Sequence, residues 1–330
     1  MTPAAGAPRA PAALPCLPAD AVPAPAHGLC SRSSGSPMTL LSPAPRPLPP
    51  RPFLGWFVTP AWMVAIGLIA AMLAVFQYSV REYVPGSLNV GGFTLDNFTA
   101  LARPLYAWAF WSTILLCLMT AVFTLLVGYP VAYALVRTRS PALKSFILIV
   151  SVTPLFLGEV VRTYSWMIVL GNNGFLNTLM LKLGLIERPI QLMFTTTGVI
   201  LALVHVTLPV MVIMLAAGLS HIDRNYEKAA ESLGAGPVRT FLTVTLPLSM
   251  PGIVAGFSTA FAWTFSAFAT PQLIGGGRVN TVSTLVYQLG FSSFNFPFAA
   301  SLSLVGLALT IAAIALMKQA MRPFVRLGEQ

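Results

Sequence analysis

Glu159 and Arg162 stand three residues apart in a stretch, 145–181, that otherwise lacks Asp, Glu, Lys and Arg. Their chemistry is electrostatic. A charge at membrane depth costs at least about 2.5–3.5 kcal/mol on insertion scales, so something must offset it. At i, i+3 the two share a helix face and can pair, or Arg162 can extend its stem to the outer boundary. Alternatively, Glu159 faces a pathway and favours a cationic solute. His205 is a lone histidine in another apolar run, where a hydrogen bond to a neighbouring helix is a commoner role than proton gating. Trp108, Trp111 and Trp166 suit the membrane interface, although aromatic faces also bind alkylammonium groups.

Bond-making chemistry lacks its usual groupings. Neither H-E-x-x-H nor G-x-S-x-G occurs, and His27, His205 and His221 do not cluster. The phosphate-cradling pattern G-x-x-x-x-G-K-[ST] is also absent: Gly275–Gly277 continues as Arg278, Val279, Asn280 and reads as a turn. Cys16, Cys30 and Cys117 have no metal-ligand spacing, and no disulfide framework is expected. These residues predict no catalytic, metal or cofactor site on this chain.

The elements that position the charged residues must cross a bilayer. Of 330 residues, 8% are charged and 56% hydrophobic, which excludes an ordinary soluble domain. A crossing needs about 20 apolar residues. Six spans are expected, near 57–80, 110–136, 146–170, 196–220, 247–271 and 299–318, the third joined across Glu159 and Arg162. With the N-terminus inside, the inner segments hold Arg9, Arg32, Arg46, Arg51, Arg137, Arg139, Lys144, Arg224, Lys228, Arg239, Lys318, Arg322 and Arg326. The outer loops hold only Arg81, Arg103, Lys182, Arg188 and Arg278, which predicts both termini on the cytoplasmic side. The net charge of +10 is spread over these flanks with no dense run interleaved with aromatics, so topology explains it and no nucleic-acid partner is expected. Residues 1–52 hold 14 of the 28 prolines with Ala, Ser and Gly, and read as a disordered tail. They lack the apolar core of a cleaved signal peptide, Met38 is an alternative start, and the first 37 residues are expected to be dispensable.

Between the fourth and fifth spans lies a polar island, Glu227 to Pro247, EKAAESLGAGPVRTFLTVTLP. Asp223 or Asn225 can cap a short helix on which Tyr226, Ala229, Ala230 and Leu233 recur at i, i+3, i+4 and i+7, a face that is small in its middle. Gly234 or Gly236 can end that helix in left-handed geometry, and Pro237 suits the first turn of the next. The expected product is an elbow able to sit in a groove of another protein.

The island resembles the cytoplasmic "EAA" loop of permease subunits of binding-protein-dependent ABC importers. That pattern is E-A-A, three residues, G, nine residues, I, one residue, L-P; here Lys228, Ala229, Ala230, Gly234, Val244, Leu246 and Pro247 keep both spacings. Lys228 replaces the pattern's Glu, and Glu227 lies about 100° further round a helix. The blocks at 94–137, Arg162–Trp166, 171–177 (GNNGFLN) and 246–252 (LPLSMPG) resemble the spermidine/putrescine subfamily.

The resemblance implies an all-α membrane protein of six transmembrane helices with the type I ABC importer permease fold, in the bacterial inner membrane. Residues 53–93 would form the first helix and an outer loop. Residues 94–320 would form the permease core with a coupling loop at 221–246, and 321–330 a cytoplasmic tail. The implied partners are two ABC ATPase subunits, which would carry ATP and Mg, a second permease subunit, and a periplasmic solute-binding protein docking around 171–195 and 272–297. Tyr226, Glu227, Lys228, Ala229, Ala230, Leu233, Gly234, Leu246 and Pro247 would couple to the ATPase, while Glu159, Arg162 and Trp166 are candidates for the solute pathway. An ion-coupled secondary transporter is the alternative; it would have only Glu159 and His205 as intramembrane ionisable sites apart from Arg162.

Overall fold

The computed structural model describes residues 52–86 and 91–328, with side chains placed for 58–86 and 91–322. The described side chains belong to one compact unit, Val58–Gln330. Of the expected tail at 1–52, residues 1–51, with Met38, Cys16 and Cys30, lie outside the described residues, and Pro52 begins the first helix.

Four helices cross alone: α1 (Pro52–Ser79), α3 (Pro104–Arg137), α7 (Thr196–Ser220) and α14 (Phe296–Gly328). A 6-residue helix α2 (Asp96–Leu101) precedes α3. The local starts follow from the sequence. Pro104 occupies the first turn of α3, where its missing N–H is no loss. Thr195 caps α7 by accepting the Gly198 N–H at 3.2 Å. At 34 residues α3 is about 51 Å long, well beyond an apolar layer of about 30 Å, so it projects out of the bilayer. Helix α14 continues to Gly328, so residues 321–328 of the expected tail at 321–330 extend the last helix instead.

The third and fifth spans are not continuous. The expected third span, 146–170, divides into α4 (Pro141–Phe156) and α5 (Glu159–Leu170), with α6 (Phe175–Lys182) beyond; the two halves meet at 107°. Pro154 removes a backbone donor in the last turn of α4, and Leu157 and Gly158 are extended. The fifth span bends by 67° where the helical segment Pro237–Leu248 meets α11 (Met250–Ser266), and beyond it an extended Ala267 separates α11 from α12 (Ala269–Gly275). The freed Ala267 carbonyl accepts Ser283 Oγ at 2.7 Å from α13 (Val282–Tyr287). Such backbone survives at membrane depth only where protein groups satisfy it.

Helices α3, α7 and α11 form the core, with Ala121, Ala132, Met211, Val212, Leu215, Leu219, Ile253 and Ala260 buried between them. No hydrophobic force favours helix over lipid inside a bilayer, so close packing and interhelical hydrogen bonds carry association. Gly218 and Gly252 show the first device: a Cβ on Gly218 would stand 2.8 Å from the Gly252 Cα. Thr124 and Thr207 show the second, their buried hydroxyls 2.9 Å apart between α3 and α7, an interaction of roughly 0.6 kcal/mol. Helix α1 differs, because its apolar side chains remain exposed, with Trp62, Val64 and Leu68 each above 60%.

Candidate functional site: the elbow and the broken spans

The polar island folds as α8 (Arg224–Ser232), α9 (Pro237–Thr240), a π-helical turn (Phe241–Thr245) and α10 (Leu246–Leu248), which leads into α11. Asp223 Oδ1 accepts the Asn225 N–H at 2.9 Å and caps α8. At the other end Gly234 has φ +84. Its N–H donates to the Glu231 carbonyl at 2.9 Å and that of Ala235 to the Ala230 carbonyl at 3.1 Å, the two bonds of a Schellman motif. Of the two glycines expected to fill this role, Gly234 does so; Gly236 has φ −69 and precedes Pro237 at the start of α9.

The motif residues divide into two groups. Tyr226, Leu233 and Val238 are 60%, 89% and 71% exposed, and Lys228 and Ala229 are exposed beside them, with Ala230 half-buried. Tyr226, Leu233 and Val238 thereby present apolar groups on the surface of the polar island. Leu246 and Pro247, expected among the docking residues, are instead half-buried at the entry to α11, where Leu246 packs on the core with Phe241 and Leu248.

Glu227 also turns inward. Its Oε1 accepts Arg137 Nη2 at 2.6 Å and Thr245 Oγ1 at 2.9 Å. Arg224 Nη2 donates to the Arg137 carbonyl at 2.7 Å, so α8 grips the projecting end of α3 by side chain and by main chain. Glu227, expected among the residues that couple to the ATPase, thus finds partners for its carboxylate within this chain. The absence of an acid at Lys228 does not remove a salt bridge here, since Glu227 makes one from the adjacent position. Arg137 and Thr245 escaped sequence reasoning because they are separated from Glu227 by 90 and 18 positions, and Arg224 because it is 87 positions from its acceptor at Arg137.

At the break of the third span, Glu159 and Arg162 do not pair: among the described residues the only ion pair within 4 Å is Arg137–Glu227. Arg162 does not extend to the boundary either. It is 6% exposed, and its Nη1 donates to the Pro154 carbonyl at 2.8 Å. The guanidinium thus replaces the donor that the bend takes from the end of α4. Glu159 is exposed in the first turn of α5, where the helix dipole favours a carboxylate. Trp166 is half-buried, and its Nε1 donates to His205 Nδ1 at 3.1 Å, so His205 bonds a neighbouring helix as expected while Trp166 is not an exposed interfacial anchor. Trp108 and Trp111, by contrast, are 69% and 60% exposed. Thr163 and Thr270, with hydroxyls 3.4 Å apart, join α5 to α12, so the second halves of both broken spans pack together. Asn177, from the GNNGFLN block, is fully buried; it donates to the Gly171 and Ile190 carbonyls and accepts the Ile190 N–H, pinning the loop after α6.

The chain is 32% identical over 254 residues to the spermidine/putrescine transport system permease protein PotB of Haemophilus influenzae, covering 77% of this chain and 88% of that one. It is also 32% identical over 212 residues to PotB of Escherichia coli K12, covering 64% and 77%. A chain from the crystal structure of a bacterial alginate ABC transporter in complex with an alginate pentasaccharide-bound periplasmic protein superposes with TM-score 0.65 at 15% identity. That superposition covers 83% of this chain and 94% of the other and speaks for the fold alone. It agrees with the all-helical architecture of four unbroken and two bent crossings found here, that of type I ABC importer permeases. Residues 124–324, which contain the second part of α3, all of α7 and α11, both broken spans and the elbow, match the family model for the inner membrane component of binding-protein-dependent transport systems, and the chain belongs to that family.

Proposed function

We propose that this chain is one of two translocation subunits of an ATP-driven importer for polyamines or related organic cations. It works in the bacterial inner membrane with both termini cytoplasmic, an orientation supported by the concentration of Lys and Arg on the segments flanking that side. The observation that carries the reading is the exposed face Tyr226–Ala229–Leu233, continued by Val238, on an elbow that the chain itself leaves uncovered. An ATPase subunit accepts this elbow in a groove, and hydrolysis of its Mg-bound ATP pushes on it; this chain binds no cofactor and makes no covalent bond. A periplasmic binding protein delivers solute to the loops around 171–195 and 272–297. Glu159, in the first turn of α5 at the bend, supplies negative potential to an arriving ammonium group, whereas Arg162 holds the bend itself. The polyamine class is supported by the PotB relatives.

The test is uptake of radiolabelled spermidine in cells expressing this chain with the ATPase, second permease and binding protein of the same importer. Uptake that disappears when the ATPase cannot hydrolyse ATP, and persists when ion gradients are collapsed with ATP maintained, is expected. Uptake driven by an ion gradient without the ATPase would overturn the reading in favour of a secondary transporter.

A further inference from the structure

We infer that Arg137 and Glu227 form a force-transmitting clamp, which makes α8 and the projecting end of α3 a single lever. The inference rests on α8 being where the ATPase docks, and it adds how motion leaves that helix. An elbow pushed by a partner can move the membrane helices only through contacts that resist sliding. The apolar face of α8 points outward, and none of its residues is buried, so apolar packing supplies little resistance. The polar face supplies it. Glu227 Oε1 is held at once by Arg137 of α3 and by Thr245 of the π-helical turn that enters α11. The end of core helix α3 and the segment that leads through α10 and a 67° bend into core helix α11 therefore meet on one carboxylate oxygen.

Three features hold Arg137 in register. Its carbonyl accepts Arg224 Nη2, its guanidinium carbon lies 5.9 Å from the Tyr133 ring centroid, and Tyr133 and Tyr129 both pack edge-on against Phe241 of the turn. Tyr129 then bonds Ser249 at 2.9 Å, just ahead of α11. The pair is largely shielded, with side chains 12% and 16% exposed. At such exposure a charge pair is screened far less than on an open surface and resists separation. A wide π-helical turn, a form frequent at functional sites, lies where this face meets the core. Arg137 and Glu227 are positioning residues: neither touches solute or nucleotide.

The experiment uses the complete complex in proteoliposomes, with spermidine uptake and ATP hydrolysis measured together. A cysteine at Ala229 reports docking by cross-linking to the ATPase. Arg137→Gln is expected to retain the ATPase and the cross-link while spermidine moved per ATP falls at least about fivefold, the lower end of ordinary site-to-site coupling. Glu227→Gln should show the same fall in uptake per ATP. The reversed pair, Arg137→Glu with Glu227→Arg, should recover at least half of the loss, because the Arg224 bond to the residue-137 carbonyl does not depend on the side chain. Wild-type uptake per ATP in Arg137→Gln would overturn the clamp. So would loss of the ATPase from that variant, which would make the pair an assembly contact, or a reversed pair no better than the single variants. Failure of the wild-type Ala229 cross-link would instead overturn the docking reading, and absence of wild-type spermidine uptake the solute assignment.

Discussion

Substitution of Gly234 separates a backbone requirement from a packing one. Its φ of +84 lies in the left-handed region, and a Cβ there would meet nothing within 4 Å. Any penalty within this chain is therefore conformational. Holding an L-residue in that region costs about 1–2 kcal/mol. Abandoning it would break the two cap bonds, Gly234 N–H to Glu231 and Ala235 N–H to Ala230, at about 0.5–1.5 kcal/mol each. The chain takes the cheaper course, so Gly234→Val should destabilise the elbow by about 1–2 kcal/mol, a fall of roughly 5- to 30-fold in the ratio of docking-competent to incompetent elbow. Gly234→Ala should fall below that, and Gly234→Asn, which tolerates left-handed geometry, should lie close to wild type. The elbow lies outside the bilayer, so membrane level should not change. The assay is membrane level, ATPase co-purification and spermidine uptake in the same cells. If Asn proved as damaging as Val, the backbone argument would fail, and crowding by the partner would have to account for the glycine.

Four further outcomes follow from named contacts. Leu233→Asp, at a side chain 89% exposed, should leave folding intact and abolish ATPase co-purification; retention of the ATPase would remove Leu233 from the docking face. Glu159→Gln nearly preserves volume and should lower uptake of a cationic solute while complex yield holds, whereas unchanged uptake would exclude it from the pathway. Arg162→Met leaves the Pro154 carbonyl without its donor and should cost about 1–3 kcal/mol, read as a lower melting temperature in detergent; a wild-type melt would refute the cap. Gly252→Leu forces α11 away from Gly218 of α7 and should cost about 1–3 kcal/mol of stability, so an unchanged melt would contradict the close approach.

The elbow was legible in the sequence because its determinants are local. A cap, a left-handed glycine and a proline at a first helical turn each act through the backbone within a few residues, and Asp223, Gly234 and Pro237 take those roles in the structure. The six crossings were legible for the same kind of reason, since hydropathy sums over neighbours and a bilayer requires little more than length and apolarity. The bends were less so. Pro154 permitted a kink, but its 107° size depends on Arg162 supplying a donor eight residues later and on α12 receiving α5.

Pairing of charges belonged wholly to the tertiary structure. Spacing allowed Glu159 to pair with Arg162 and gave no sign of Arg137 as the partner of Glu227, yet in the fold the first pair does not form and the second does. Electrostatic attraction acts through space, and the distance from residue 227 to residue 137 is set by how α3, α7 and α11 pack around Gly218, Gly252 and Thr124. The sequence by itself determined which segments enter the membrane and where the chain turns, because those choices depend on near neighbours. Which charge meets which, and therefore how the elbow is tied to the membrane helices, only the assembled helices decided.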